Sequence, residues 1–233
     1  MKRFFAFTLA ETLIVMGIIG IVSALTLPNL NSSTGEKEKV AKVKKIYQNL
    51  NDAYGRATAI YGPIDEWFKN DTDVAAQTTR FGERITEFMK VSKNCGISLG
   101  CFSATPFVYL LGDVHNSNDA QNLVTLKAYM YILADGTSVA FYYNTDSNGG
   151  NVGYYILVDI DGPNKGKNQE GVDRFSFFID IESGGQLIPS GRNSTEGAFD
   201  DDYDINSWVI YNENLDYLKC ADKLNWKTKT SCK

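Results

Sequence analysis

Apolar and polar positions follow three successive patterns along the chain. From Phe7 to Leu27 the residues are almost continuously apolar, with one acid, Glu11, inside the run. As a helix rising about 1.5 Å per residue this run would span roughly 31 Å, close to the ~30 Å hydrocarbon core of a bilayer. After the polar stretch NLNSSTGE, apolar residues recur at Val40, Val43, Ile46/Tyr47, Leu50, Ala53/Tyr54, Ala57 and Ile60/Tyr61. This i, i+3, i+4, i+7 spacing marks one buried face and predicts a helix over 36–61, stopped by Gly62-Pro63. A shorter helix is expected over 78–90, with Phe81, Ile85, Phe88 and Met89 on its apolar side. Beyond Leu126 the pattern becomes that of strands: Ala128–Ala134 and Thr137–Tyr143 flank an Asp135-Gly136 turn and read as a β-hairpin. Two further strands are expected at Tyr154–Ile160 and Arg174–Ile181, with Gln186–Ile188 as a short hairpin partner and one more short strand near Trp208–Tyr211. Helices first and antiparallel strands afterwards predict an α+β fold.

Composition narrows the function classes. The 233 residues suit one domain, or one domain with an appendage. A 43% apolar and 22% charged composition is that of a foldable chain. The net charge of −5 argues against a dedicated nucleic-acid binder, which carries a basic face. His115 is the single histidine and lies in a polar, loop-like stretch, which removes multi-imidazole zinc sites and leaves little for acid–base catalysis. No G-x-S-x-G, H-E-x-x-H or S-x-x-K motif occurs, and the expectation is that the protein is not an enzyme.

The amino terminus is more specific. A secretory signal fits poorly, because no A-x-A site follows the run and Glu11 lies within it. Met1–Leu30 closely resembles the prepilin-type cleavage and methylation motif of type IV pilins and type II secretion pseudopilins. The resemblance implies a leader of residues 1–6 ending in Ala6, cleavage between Ala6 and Phe7, N-methylation of Phe7, and Glu11 as the glutamate at the fifth mature position. Pro28 falls where the family commonly carries proline. Two departures are visible, Ala6 in place of the usual glycine and Ala10 in place of a larger aliphatic residue.

Residues 7–30 would then be a transmembrane and filament-core helix, with Gly20 and Pro28 suited to packing and unwinding in a fibre. Residues 31–233 would be an extracytoplasmic, pilin-like domain in which a long, interrupted N-terminal helix packs on an antiparallel sheet. The implied localisation is the inner (cytoplasmic) membrane, single-pass, before assembly into a filament or pseudopilus. The implied partners are the membrane, sister subunits, a prepilin peptidase, an inner-membrane platform protein and an assembly ATPase. The alternative is a membrane-anchored extracytoplasmic binding module outside any filament. Pilus and pseudopilus are not distinguished.

Two more features carry candidate chemistry. The loop DIDGPNKGKNQEGVD supplies the oxygen donors Asp159, Asp161, Asn164, Glu170 and Asp173, of the kind calcium takes. It does not follow the EF-hand spacing, though it is similar to calcium-stapled loops of some pseudopilins. The other reading is a connection whose side chains cap their own turns; no other cofactor is expected. The acidic run Asp200-Asp201-Asp202 with Asp204 reads as a solvated turn. Cys95, Cys101, Cys220 and Cys232 allow three pairings. Proximity favours Cys95–Cys101 and Cys220–Cys232, the latter resembling the carboxyl-terminal disulfide of type IV pilins.

Overall fold

The computed structural model describes residues 9–68, 73–144, 153–181, 184–191, 197–200 and 204–233, with only the backbone of 23–34, 116 and 117. The chain divides into two compact units, Met1–Glu38 and Lys39–Lys233.

In the first unit the described backbone is helical. It belongs to α1, Leu9–Tyr61. Its side chains from Leu9 to Val22 are all exposed, among them Leu9 at 82%, Leu13 at 66% and Met16 at 64%. Two expectations are corrected here. The helix is not interrupted at Pro28, because α1 continues through it as one element; proline deletes one backbone hydrogen bond and can bend a helix without ending it. Nor does its first half qualify as a membrane span. Among the described residues no helix is long and apolar enough to cross a membrane, since the described apolar stretch from Leu9 to Val22 covers only about 21 Å at ~1.5 Å per residue. The single-pass localisation falls with it.

The second unit carries the core. Within it α1 turns Val40, Val43, Ile46, Leu50, Ala53 and Ala57 inward, each no more than 7% exposed. Gly62, at φ 81°, closes the helix by donating from its N–H to the Thr58 carbonyl at 3.0 Å. Next comes α2, Val74–Thr86, about one turn earlier than the apolar pattern suggests. Its start is set by Asp73, whose carboxylate accepts from the Ala75 N–H at 3.0 Å, an N-cap that outweighs the later onset of large apolar residues.

Six antiparallel strands follow: β1 (Val91–Gly96), β4 (Tyr129–Leu133), β5 (Ser138–Asn144), β6 (Gly153–Asp159), β7 (Arg174–Asp180) and β8 (Gln186–Pro189), in that spatial order. Two more, β2 (Pro106–Val108) and β3 (Val114–Asn118), form a separate ribbon. The expected hairpin is β4–β5, with Met130 opposite Ala140 and Ile132 opposite Ser138.

Alternation assigns the faces. Tyr131, Phe141, Tyr154, Ile156, Phe175, Phe177 and Ile179 share the large core with α1 and α2, where Phe81 stacks on Tyr154 at 4.2 Å. On the other face Met130, Ala140 and Leu157 form a smaller core with Cys101, Phe102 and Leu123, the last from α3 (Asp119–Thr125). Both faces being covered explains why these strands read as nearly continuous apolar runs. Gly153 opens β6 because a Cβ there would meet the Phe178 ring at 2.7 Å.

The stretch expected as a strand near Trp208–Tyr211 is a helix, α4 (Ile205–Tyr211). Ile205, Trp208 and Val209 are its buried apolar residues, at i, i+3 and i+4, with Asn206 and Ser207 buried between them; the helical spacing of the apolar residues outweighs the β-propensity of tryptophan, valine and isoleucine. A short α5, Tyr217–Cys220, follows. The acidic turn is corrected in part. Residues 201–203 lie outside the described set, but Asp204 is fully buried and accepts from Trp226 Nε1 at 3.0 Å and the Asp200 N–H at 2.8 Å.

Candidate functional site

The residues singled out from sequence fall in three places. Ala6 and Phe7 lie outside the described residues. Glu11 is exposed on α1. Gly20 is also exposed, and no described residue beyond its own stretch of helix comes within 4 Å of where a Cβ would sit. Of Pro28 only the helical backbone is described.

The cysteines form Cys95–Cys101 and Cys220–Cys232, and no cysteine is free. The first bridge ties β1 to the loop entering the smaller core. The second holds the carboxyl-terminal segment, whose Trp226 packs edge-on against Trp208 at 4.8 Å.

The third place is the β6–β7 connection, where Asp159 and Asp173 are both fully buried. Asp159 Oδ1 accepts from the N–H groups of Asp161 and Gly162, each at 3.0 Å, while its Oδ2 is buried with no hydrogen-bond partner among the described residues. Burial first, then the backbone donors working against it and the charges of Asp173 and Asp161 adding to it, leave the Asp159 carboxyl pushed up to about 7.

Asp173 is fully engaged: Oδ2 accepts from the N–H of Lys167 and, at 3.1 Å, of Asn168, and Oδ1 from the N–H of Gln169 at 2.6 Å. Asp161 faces α1, 3.3 Å from Lys42 Nζ and 3.6 Å from Lys39 Nζ. Lys39 also donates to the Val172 carbonyl at 3.0 Å. Asn164 is exposed, and Glu170 is half-buried where the loop pairs with β2 through the Val108 carbonyl.

These positions bear directly on calcium, which needs six to eight oxygens at about 2.3–2.6 Å around one point. Asp173 spends both oxygens on backbone donors, Asp161 is ion-paired to lysines, and Asn164 points to solvent-exposed surroundings at the loop's rim. Among the described residues no three acidic, cysteine or histidine side chains converge as a metal-holding group. Asp159 and Asp173 both cap the loop's own turns through its backbone N–H groups.

Sequence reasoning missed two groups here. The first is the pair Lys39 and Lys42. Their spacing, either side of inward-facing Val40, was the available signal. The second is the buried pair of Arg174 and Asp119, with Nη2 to Oδ1 at 3.0 Å and the guanidinium 3.8 Å over the Phe107 ring. Burial raises the Asp119 carboxyl even against the arginine's opposing pull. His115 belongs to the same corner, on β3 and half-buried, stacked on Phe107 at 4.6 Å, a strand position in place of the loop its polar neighbours suggest.

No family model, curated protein or solved structure matches the chain. Its function is therefore argued from its own residues.

Proposed function

We propose that the chain is a subunit of a type IV pilus-like or type II secretion pseudopilus filament. In this reading a prepilin peptidase cuts between Ala6 and Phe7, Phe7 is N-methylated, and sister subunits assemble through the N-terminal helix with a platform protein and an assembly ATPase.

One observation carries the reading. Ala6, Phe7 and Glu11 stand in prepilin register along the sequence, and the apolar side chains of α1 from Leu9 to Val22 are exposed. So many uncovered large aliphatic residues are costly in water and mark a surface that another body covers. Glu11 adds register. A free Phe7 amine, with a reference pKa of about 7.7–8.0, is largely cationic at neutral pH, and in a low-dielectric fibre core it attracts a neighbour's carboxylate while either charge alone is costly.

Intact-mass and N-terminal peptide mass spectrometry of the protein from its native host tests the processing step. Loss of six residues with a methylated Phe7 is expected. An intact Met1, or a terminus near Leu25, would remove the filament reading. Filament incorporation should fall at least tenfold in both Glu11→Ala and Glu11→Gln, and normal assembly by both would remove the pairing role.

A further inference from the structure

The β6–β7 connection packs three carboxylates into little space. Asp159 and Asp173 are fully buried, and the Asp161 side chain is only 19% exposed. A side chain at Gly166, held at φ 79°, would collide with the Asp173 carboxylate, and Asp161 Oδ2 lies 3.2 Å from the same point. Carboxylates this close repel strongly in a medium of low effective dielectric. Backbone N–H donors around Asp159 and Asp173 offset part of that, but partial charges cannot neutralise a formal one. The remaining positive charge comes from α1, where Lys39 and Lys42, one on each side of inward-facing Val40, bring both ammonium groups to Asp161. Lys39 also donates to the Val172 carbonyl, the residue beside Asp173. Ammonium groups thus make, at this loop, contacts with carboxylate and carbonyl oxygens of the type a divalent ion would make.

We propose that Lys39 and Lys42 are the built-in cations of the β6–β7 connection, holding its carboxylates in place of an exogenous divalent ion, so that the order of this loop depends on α1 and not on calcium. Two fixed ammoniums carry the charge of one calcium ion. Because they belong to the chain, they cost no ion-binding equilibrium and are insensitive to chelation. The buried Asp159 Oδ2, which has no hydrogen-bond partner among the described residues, is then an acceptor the lysines leave unfilled. It remains open to a small cation once the ammoniums are removed. This inference is independent of the filament reading.

The test is hydrogen exchange of amides 161–173, read by mass spectrometry on the full chain with excess chelator or with millimolar calcium. Wild type should show the same protection in both conditions. The variant Lys39→Met/Lys42→Met keeps the aliphatic stems and loses both charges. Its loop amides should exchange at least tenfold faster in chelator, while those of β5 and β6 stay protected, and calcium should restore protection. Lys44→Met, whose ammonium pairs with Glu213 at 2.5 Å away from the loop, should match wild type throughout. Asp161→Asn removes one of the repelling carboxylates, and combined with the lysine variant it should slow loop exchange in chelator back toward wild type.

Calcium-dependent protection in wild type would overturn the proposal, as would unchanged loop exchange in the double variant. A loosened loop in that variant that calcium fails to restore would also overturn it, reducing the lysines to packing. Should the double variant fail to fold, Lys42→Met alone decides: unchanged loop exchange in chelator overturns the proposal, and faster exchange that calcium reverses supports it.

Discussion

At the residue scale the most consequential group is Asp159, because its position sets a pH dependence with a definite sign. Its carboxyl stands at about 7 in the folded protein, against about 3.9 in an unfolded chain. Between those values the folded state holds a proton that the unfolded state has released. Stability therefore falls as pH rises from about 4 through 7, and the cost of the buried charge is fully present above that. Asn at this position keeps an acceptor for the Asp161 and Gly162 N–H groups and carries no charge. Urea unfolding should show Asp159→Asn more stable than wild type at pH 8, by on the order of 1–3 kcal/mol, with the two nearly equal only below about pH 4. A constant difference across that range would show that burial of the charge is not what costs the fold. The pair Asp119–Arg174 differs in kind, since both groups are buried and each partners the other. Removing one member leaves the other uncompensated.

At the scale of elements, disulfides and secondary structure answer to different physics. On the loop-entropy model each bridge contributes roughly 2–3 kcal/mol, yet the two should report differently when removed. Cys220–Cys232 fastens the segment whose Trp226 covers Trp208 and donates to buried Asp204. Replacing both of its cysteines by serine should lower stability by about 2–3 kcal/mol and shift tryptophan fluorescence to the red as Trp226 reaches water. The same change at Cys95 and Cys101 should cost about as much and leave the emission maximum in place, since no tryptophan contacts that bridge. An unshifted spectrum in the first variant would mean that tertiary packing alone holds the carboxyl terminus.

What the pattern of residues could and could not announce divides along the same line. The helix ending at Gly62 and the four strands β4 to β7 were legible, because a long stretch facing one core repeats a single period. The strand β1, the ribbon of β2 and β3, and α3 were not, since their residues are mostly polar and are held by pairing with distant segments such as the Val108 carbonyl with Glu170. Helix α4 was misread because β-branched and aromatic residues were weighed above the spacing of Ile205, Trp208 and Val209. In the candidate loop the acids were visible and their counter-charges were not: Lys39 and Asp161 are far apart in sequence, and only the fold brings them to 3.6 Å.

At the scale of the whole molecule, the chain combines one unit with a core and one whose described apolar side chains have none. The core of Lys39–Lys233 draws on α1 only from Val40 onward, so residues 1–34 contribute nothing described to it. A fragment spanning Gly35–Lys233 leaves one helical turn ahead of Lys39 and should fold cooperatively. Its unfolding free energy should lie within about 1 kcal/mol of the full chain's. The two should differ sharply in association. The full chain carries the exposed residues from Leu9 to Val22, including Ile18 at 57% and Ile21 at 65%, and burying such side chains is worth about 1.5–3 kcal/mol each. Sedimentation velocity should therefore find the fragment monomeric and the full chain self-associated or dependent on detergent at the same concentration. The variant Ile14→Asp/Ile18→Asp, with two charges on the exposed face, should move the full chain toward the fragment's behaviour without changing its melting. If the fragment self-associates as strongly as the full chain, the driving surface lies on the folded unit and the N-terminal helix is not the means of assembly.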